Sequence, residues 1–166
     1  PIEEILFFIT VPYASIFIYA VVNHLWPNTP LLDKLQRKIS FVILFIAIAL
    51  MLFNYDKAYT ALNCGYAIVL LSLQLFVIKG NYMGRFYRFY FWHLIPFFIV
   101  NGLLTGTGIQ DEVVWYNNAE NLGIRMGTIP VEDSLYSLSL MLMNITIIEW
   151  LRGKRNSKKH LSPEPI

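Results

Sequence analysis

Residues 58–78 read AYTALNCGYAIVLLSLQLFVI, without one charged side chain. A helix needs about 20 residues to cross the hydrocarbon core of a bilayer, so this run predicts a membrane-spanning helix. Comparable apolar runs occupy roughly 5–25, 39–54, 86–105 and 131–151. The expected fold is all-α: a polytopic transmembrane helix bundle with five spans. Composition agrees. The chain is 56% hydrophobic and 14% charged, with mean hydropathy +0.50, whereas soluble domains carry about 25% charged residues. The single cysteine, Cys64, excludes an internal disulfide and a cysteine-rich metal site. No signal-peptide pattern is present. The chain starts inside a motif rather than at a methionine, so upstream residues are expected.

The run at 39–54 is short and reads as a lipid-exposed helix, with Phe41, Ile43, Leu44, Phe45 and Ile46 facing the acyl chains. The run at 131–151 is the least hydrophobic. It carries Ser134, Ser137, Ser139, Asn144 and Thr146, and polar residues in a span are best placed against other helices. It is therefore expected in the middle of the bundle.

Basic residues give an orientation. Lys34, Arg37 and Lys38 follow the first run. Lys79, Arg85 and Arg88 surround the third connection. Arg152, Lys154, Arg155, Lys158 and Lys159 follow the fifth run. These are eleven of the 13 Lys and Arg residues, and the positive-inside rule assigns them to the cytoplasm. The tail from Gly153 is expected to be solvated and disordered. The one long connection, about 106–129, contains Asp111, Glu112, Trp115, Tyr116, Asn117, Asn118, Glu120, Asn121 and Arg125. Long loops of this kind often carry function, and Trp115 and Tyr116 suit an interfacial belt.

Two of the runs open with the same phrase. Pro1-Ile2-Glu3-Glu4 begins the first, and Pro130-Val131-Glu132-Asp133 begins the last. By the basic-residue pattern both lie at non-cytoplasmic helix ends and both helices run the same way, which predicts a parallel internal repeat. One reading is structural: proline suits the first helical position, and acids there complement the helix dipole. The other is chemical. Adjacent acids point about 100° apart, so one can face a low-dielectric cavity, stay protonated and act as a general acid. Arg125 either pairs with Glu120 or Asp111, or holds a motif carboxylate ionised. Asn117, Asn118 and Asn121 suit turn capping. His93 reads as a hydrogen-bonded core residue or a pocket group. Phe7, Phe8, Tyr13, Tyr19, Tyr66, Tyr87, Tyr90, Trp92 and Tyr136 are candidates for an aromatic pocket wall that attracts cations. Dinucleotide and P-loop fingerprints are missing, as are H-E-x-x-H and an Asp-x-x-x-Asp cluster. No metal, cofactor or nucleic acid is expected.

The stretch from Trp115 to Arg125 with Thr128 to Tyr136, and Pro1 to Phe8 with Val11-Pro12-Tyr13, resemble the small integral-membrane lycopene cyclases. That family has two related three-helix domains, fused or in separate subunits. The resemblance implies that residues 1–26 are the last helix of a first repeat, 39–54 a linker helix, 58–152 a second repeat and 153–166 a cytoplasmic tail. It implies two further helices, upstream or in a second cyclase subunit.

The implied activity is lycopene β-cyclase in carotenoid biosynthesis, an intramolecular lyase or isomerase of the cell membrane. Its substrate is lycopene or a related acyclic carotenoid, and the lipid bilayer is its medium. No redox cofactor is consumed. Glu132 and Glu3 are the implied acid and base, supported by Glu4 and Asp133. Asn117, Glu120 and Arg125 stand behind them, and Tyr136, His93, Phe7 and Trp92 face the substrate. A carotenoid end-group hydratase, a non-catalytic carotenoid-binding or assembly subunit, and a transporter are the other readings of the same residues.

Overall fold

The computed structural model describes residues 2–28, 30–108 and 112–161, without the side chains of Glu3, Glu4, Phe7, Phe8 and 156–161. Five helices are present among them: α1 (Ile2–Leu25), α2 (Pro30–Phe53), α3 (Ala58–Ser72), α4 (Met83–Leu104) and α5 (Val131–Leu161). α3 continues as a π-helical turn, Leu73–Ile78, which ends at Lys79 in the left-handed conformation (φ 50°). A two-residue hairpin, β1 (Arg125–Met126) and β2 (Ile129–Pro130), pairs Arg125 with Pro130 and Met126 with Ile129.

Length and hydropathy qualify Pro30–Phe53, Ala58–Ile78 and Val131–Arg155 as membrane spans. In α1 the described apolar stretch is the shorter Ile9–Leu25. α4, which was also expected to span, carries Arg85 and Arg88 and does not reach the same hydropathy.

α2 begins nine residues before the expected boundary. Pro30 opens it, as proline can where its missing N–H is an orphan anyway, and Asp33 complements the dipole in the first turn. Lys34, Arg37 and Lys38 therefore sit on a helix rather than in a loop. Gly84 lets that first turn approach α4. A Cβ there would lie 3.0 Å from the Asp33 backbone nitrogen, and the Gln36 amide oxygen accepts from Gly84 N at 3.0 Å. Phe45 and Ile46 face outward as expected, but Leu44 is buried because α2 turns that side toward α3 and α4. The expectation of a disordered tail is corrected for 153–161, where α5 continues unbroken to Leu161; 162–166 lie outside the described residues.

α4 packs on α1, α2 and α5, while α5 packs on α1, α3 and α4. The polar residues of α5 thus lie against helices, and α4 shares the middle of the bundle. Tyr19, Phe86, Phe89, Leu71, Leu142 and Ile145 form the fully buried core, with Tyr19 set edge-on to Phe89 at 5.5 Å. Phe53, Leu62, Phe76 and Val77 are exposed, as a surface facing lipid requires.

Side-chain contacts fix the relative direction of α1 and α5. Ser15 and Ser137 both bond His93, and further along, Tyr19 donates to Glu149 at 3.0 Å. The two helices run the same way. Glu149 also holds Arg152 at 2.9 Å, an i, i+3 pair, and Arg85 at 3.3 Å.

Candidate functional site

The site is built where the hairpin delivers the chain into α5. Gly127 takes φ 67°, a conformation glycine adopts without a Cβ penalty, and the chain reverses there. Pro130 closes the hairpin as its last strand residue, so α5 starts at Val131 rather than at the proline. Val131 N donates to Ile124 O at 3.1 Å. The next two residues, Glu132 and Asp133, are both 3% exposed, and the helical turn sends them to different neighbours.

Glu132 points to α3 and the long loop. Its Oε1 accepts from Thr60 Oγ1 at 2.8 Å and from Leu122 N at 2.7 Å. Its Oε2 is buried without a hydrogen-bond partner among the described residues. Asp133 points the other way, into a cavity of about 530 Å³. Tyr59 donates to its Oδ1. Tyr116 and Asn101 donate to its Oδ2 at 2.7 and 3.3 Å. These donors come from α3, the loop and α4, so one carboxyl joins three parts of the molecule. Burial and then Asp133 push the Tyr116 phenol above its ordinary range, which keeps it a proton donor at neutral pH.

Apolar groups make up most of the rest of the cavity wall: Val11, Ala14 and Ile18 of α1, Pro96, Phe97 and Val100 of α4, and Leu140 and Met141 of α5. Tyr136 lies on the wall, as expected of a pocket residue. So does His93, which is 5% exposed. Its Nε2 is 3.1 Å from Ser137 Oγ and its Nδ1 is 3.5 Å from Ser15 Oγ.

The loop residues act from behind. Arg125 makes no ion pair with Glu120; Asp111 lies outside the described residues. Its guanidinium instead donates to Thr128 O at 2.8 Å, Asn118 Oδ1 at 2.7 Å and Tyr116 O at 3.4 Å, and it lies 5.9 Å from the Tyr116 ring centroid. It fixes the backbone that presents Tyr116. Asn117 Oδ1 accepts from Ala119 N at 3.0 Å, and Asn121 Oδ1 from Gly123 N at 2.8 Å, which is the turn-capping role. Glu120 caps α3: its carbonyl accepts from Tyr59 N at 3.0 Å and its Oε2 from Ala58 N at 3.3 Å. Trp92 is away from the cavity, stacked on Trp26 at 5.5 Å.

The other phrase lies further up α1. Val11 and Asp133 each sit one turn before the serine that shares His93, and Glu3 is eight residues before Val11, about 12 Å of helix. The side chains of Glu3, Glu4 and Phe7 lie outside the described residues.

The model of the family described as lycopene cyclase matches residues 1–22 and 56–151. The chain belongs to the lycopene cyclase family. Its context is therefore carotenoid biosynthesis and the membrane, and α2 falls wholly in the unmatched stretch between the two segments. No curated protein and no solved structure matches the chain.

Sequence reasoning missed Tyr59, Asn101 and the role of Tyr116 in this site. Tyr59 sits in a span read only as a continuous uncharged run, although Thr60, Asn63 and Gln74 lie in it too. Tyr116 adjoins Trp115, which suggested only an interfacial belt, yet Trp115 is exposed and Tyr116 turns inward.

Proposed function

We propose that this chain is a lycopene β-cyclase, catalysing the redox-neutral closure of the ψ-end of lycopene to a β-ionone ring. The observation that carries the reading is Asp133, a carboxyl of the Pro-x-Glu-acid phrase, buried on the wall of an apolar cavity and held by Tyr59, Tyr116 and Asn101.

In this mechanism a carboxyl gives a proton to the terminal double bond of the ψ-end. The tertiary cation that results is attacked by the nearby internal double bond, forming the six-membered ring and a second tertiary cation. Loss of one ring proton leaves the β-ionone double bond. One proton enters and one leaves, and no electrons are exchanged.

Asp133 is the carboxyl assigned to the first step. Donors already aimed at both oxygens stabilise the carboxylate that proton delivery leaves behind, without reorganisation. Phe97 and Tyr136 offer π faces to the cation, and the apolar wall keeps out water that would capture it. Glu132 anchors α5 to α3 and the loop. Glu3 and Glu4 remain candidate acid–base partners on α1. The basic ends of the helices face the cytoplasm of the cell membrane, and the carboxylate phrases face the other side. The reaction makes the enzyme an intramolecular lyase, working on lycopene or a related acyclic carotenoid. A second cyclase subunit is a candidate partner.

The test is expression of the full protein in cells that accumulate lycopene, with chromatography of the pigments. Cyclic product from the wild type and its loss in Asp133→Asn support the proposal. Lycopene that persists unchanged with the wild type refutes it, and a hydroxylated acyclic product replaces cyclisation with hydration of the same cation.

A further inference from the structure

The proposed cyclisation also requires a proton acceptor, and the cavity wall holds a second polar group remote from the Asp133 donors. Apart from the tyrosines, which are ordinarily protonated to about pH 10, Asp133 and His93 are the two described wall residues with side chains that exchange protons. The two oxygens of Asp133 already accept three hydrogen bonds. His93 sits one turn deeper, beside Ser137, the residue four positions after Asp133 on the same face of α5.

The hydrogen bonds fix which imidazole nitrogen is free to accept. Ser15 Oγ donates its single proton to Val11 O at 2.7 Å, so toward His93 Nδ1, at 3.5 Å, it acts as acceptor. A neutral imidazole has one donor nitrogen and one acceptor nitrogen. Nδ1 therefore carries the proton, and the Nε2 lone pair faces Ser137 Oγ at 3.1 Å. The nearby Tyr90 hydroxyl gives its proton to Ser134 O at 2.5 Å and does not supply one to Ser137.

This is a hydroxyl on the cavity wall backed by an imidazole base, oriented in turn by a third side chain from α1. We infer that Ser137, backed by His93, is the group that removes the ring proton and ends the cyclisation. The inference rests on the cyclase reading above. In the step, the C–H bond at the ring carbon breaks and its electrons form the ring double bond. The proton passes to Ser137 Oγ as the serine proton passes to His93 Nε2. The imidazolium returns a proton to the Asp133 carboxylate once the product leaves, so the cycle balances.

The position of this base selects which proton is lost. The ring cation can lose a proton from either neighbouring ring carbon or from its methyl group, giving β, ε or γ rings. A change of base alters that ratio, whereas a merely structural defect lowers turnover and leaves it unchanged.

The experiment compares wild type, Ser137→Ala, Ser137→Thr and His93→Phe with lycopene, scoring both rate and ring isomer. Ser137→Ala and His93→Phe are expected to slow cyclisation about 100-fold and to raise the share of ε and γ rings. Ser137→Thr, which keeps a hydroxyl, is expected to restore the β ring. If His93→Phe does not accumulate in the membrane, the two serine variants decide, because they leave the imidazole in place. Wild-type rate and isomer ratio in Ser137→Ala overturn the inference, as does an equal loss in the Ala and Thr variants with an unchanged ratio. A wild type that leaves lycopene untouched overturns the cyclase reading itself and the acceptor with it.

Discussion

The Tyr116 phenol donates to Asp133 Oδ2 at 2.7 Å, joining a loop residue to the first turn of α5. If this bond stabilises the carboxylate after proton transfer, Tyr116→Phe lowers kcat about 10-fold, equivalent to about 1.4 kcal/mol, with a smaller change in KM. Tyr116 also gives a pH expectation. Its phenol is raised by burial and by Asp133. A raised folded value means that its contribution is complete below the unfolded value near 10 and is lost only as pH rises through the folded one. The ratio of wild-type to Tyr116→Phe activity is therefore constant from pH 7 to 9. A ratio that falls across that range contradicts the assignment.

Glu132 and Asp133 should separate in activity. Removing the Glu132 carboxyl leaves Thr60 Oγ1 and Leu122 N without their acceptor, at about 1–3 kcal/mol for each buried group. Glu132→Ala is expected to lower the thermal midpoint in detergent, and Glu132→Gln, which keeps an acceptor oxygen, to lower it less. Asp133→Asn keeps one acceptor oxygen for three donors, so it is expected to lower the midpoint as well and, unlike Glu132→Gln, to lose activity. Thermal scans beside pigment assays check the contrast.

Arg125 ties Tyr116 O, Asn118 and Thr128 together without being a lining residue of the cavity. Arg125→Ala is expected to lose several-fold in kcat by loosening Tyr116. In the double variant with Tyr116→Phe, the two losses should be less than additive, since they share one target. Full additivity would mean that Arg125 acts elsewhere.

The Ala14 methyl lies on the cavity wall. Ala14→Phe fills space that the polyene end requires and is expected to abolish cyclisation while the protein still accumulates. Retained activity in this variant places the substrate outside the cavity.

Gly84 admits the first turn of α2 against α4. A methyl group there forces the two helices apart. Gly84→Ala is expected to destabilise by about 1–3 kcal/mol, measured as a lower unfolding temperature without a change in ring product.

The helices were legible because uncharged runs of spanning length are hard to read otherwise. Their ends were less so. Lys34, Arg37 and Lys38 resembled a loop because charge was read as a boundary, yet charged residues continue a helix once it leaves the apolar layer, and the same holds for Lys154 and Arg155 within α5. The paired acids were legible as a divergent pair, but neither faces outward: both are buried, on different neighbours. Which of them faces the cavity depends on the phase of α5 against α3, set by contacts such as Thr60–Glu132 and Tyr59–Asp133. Those pairs are more than seventy residues apart, and no local pattern encodes them. Arg125 misled for a related reason: its nearest acids in sequence are less available to it than the carbonyls of the turn it closes.

Glu120 caps the first turn of α3, yet it is synthesised about sixty residues later, after α4. The opening amides of α3 therefore stay bare through much of translation. A nascent chain interrupted before Glu120 holds that helix unfinished at its water-facing end, and the seam between the third and fifth helices closes only once α5 has been made.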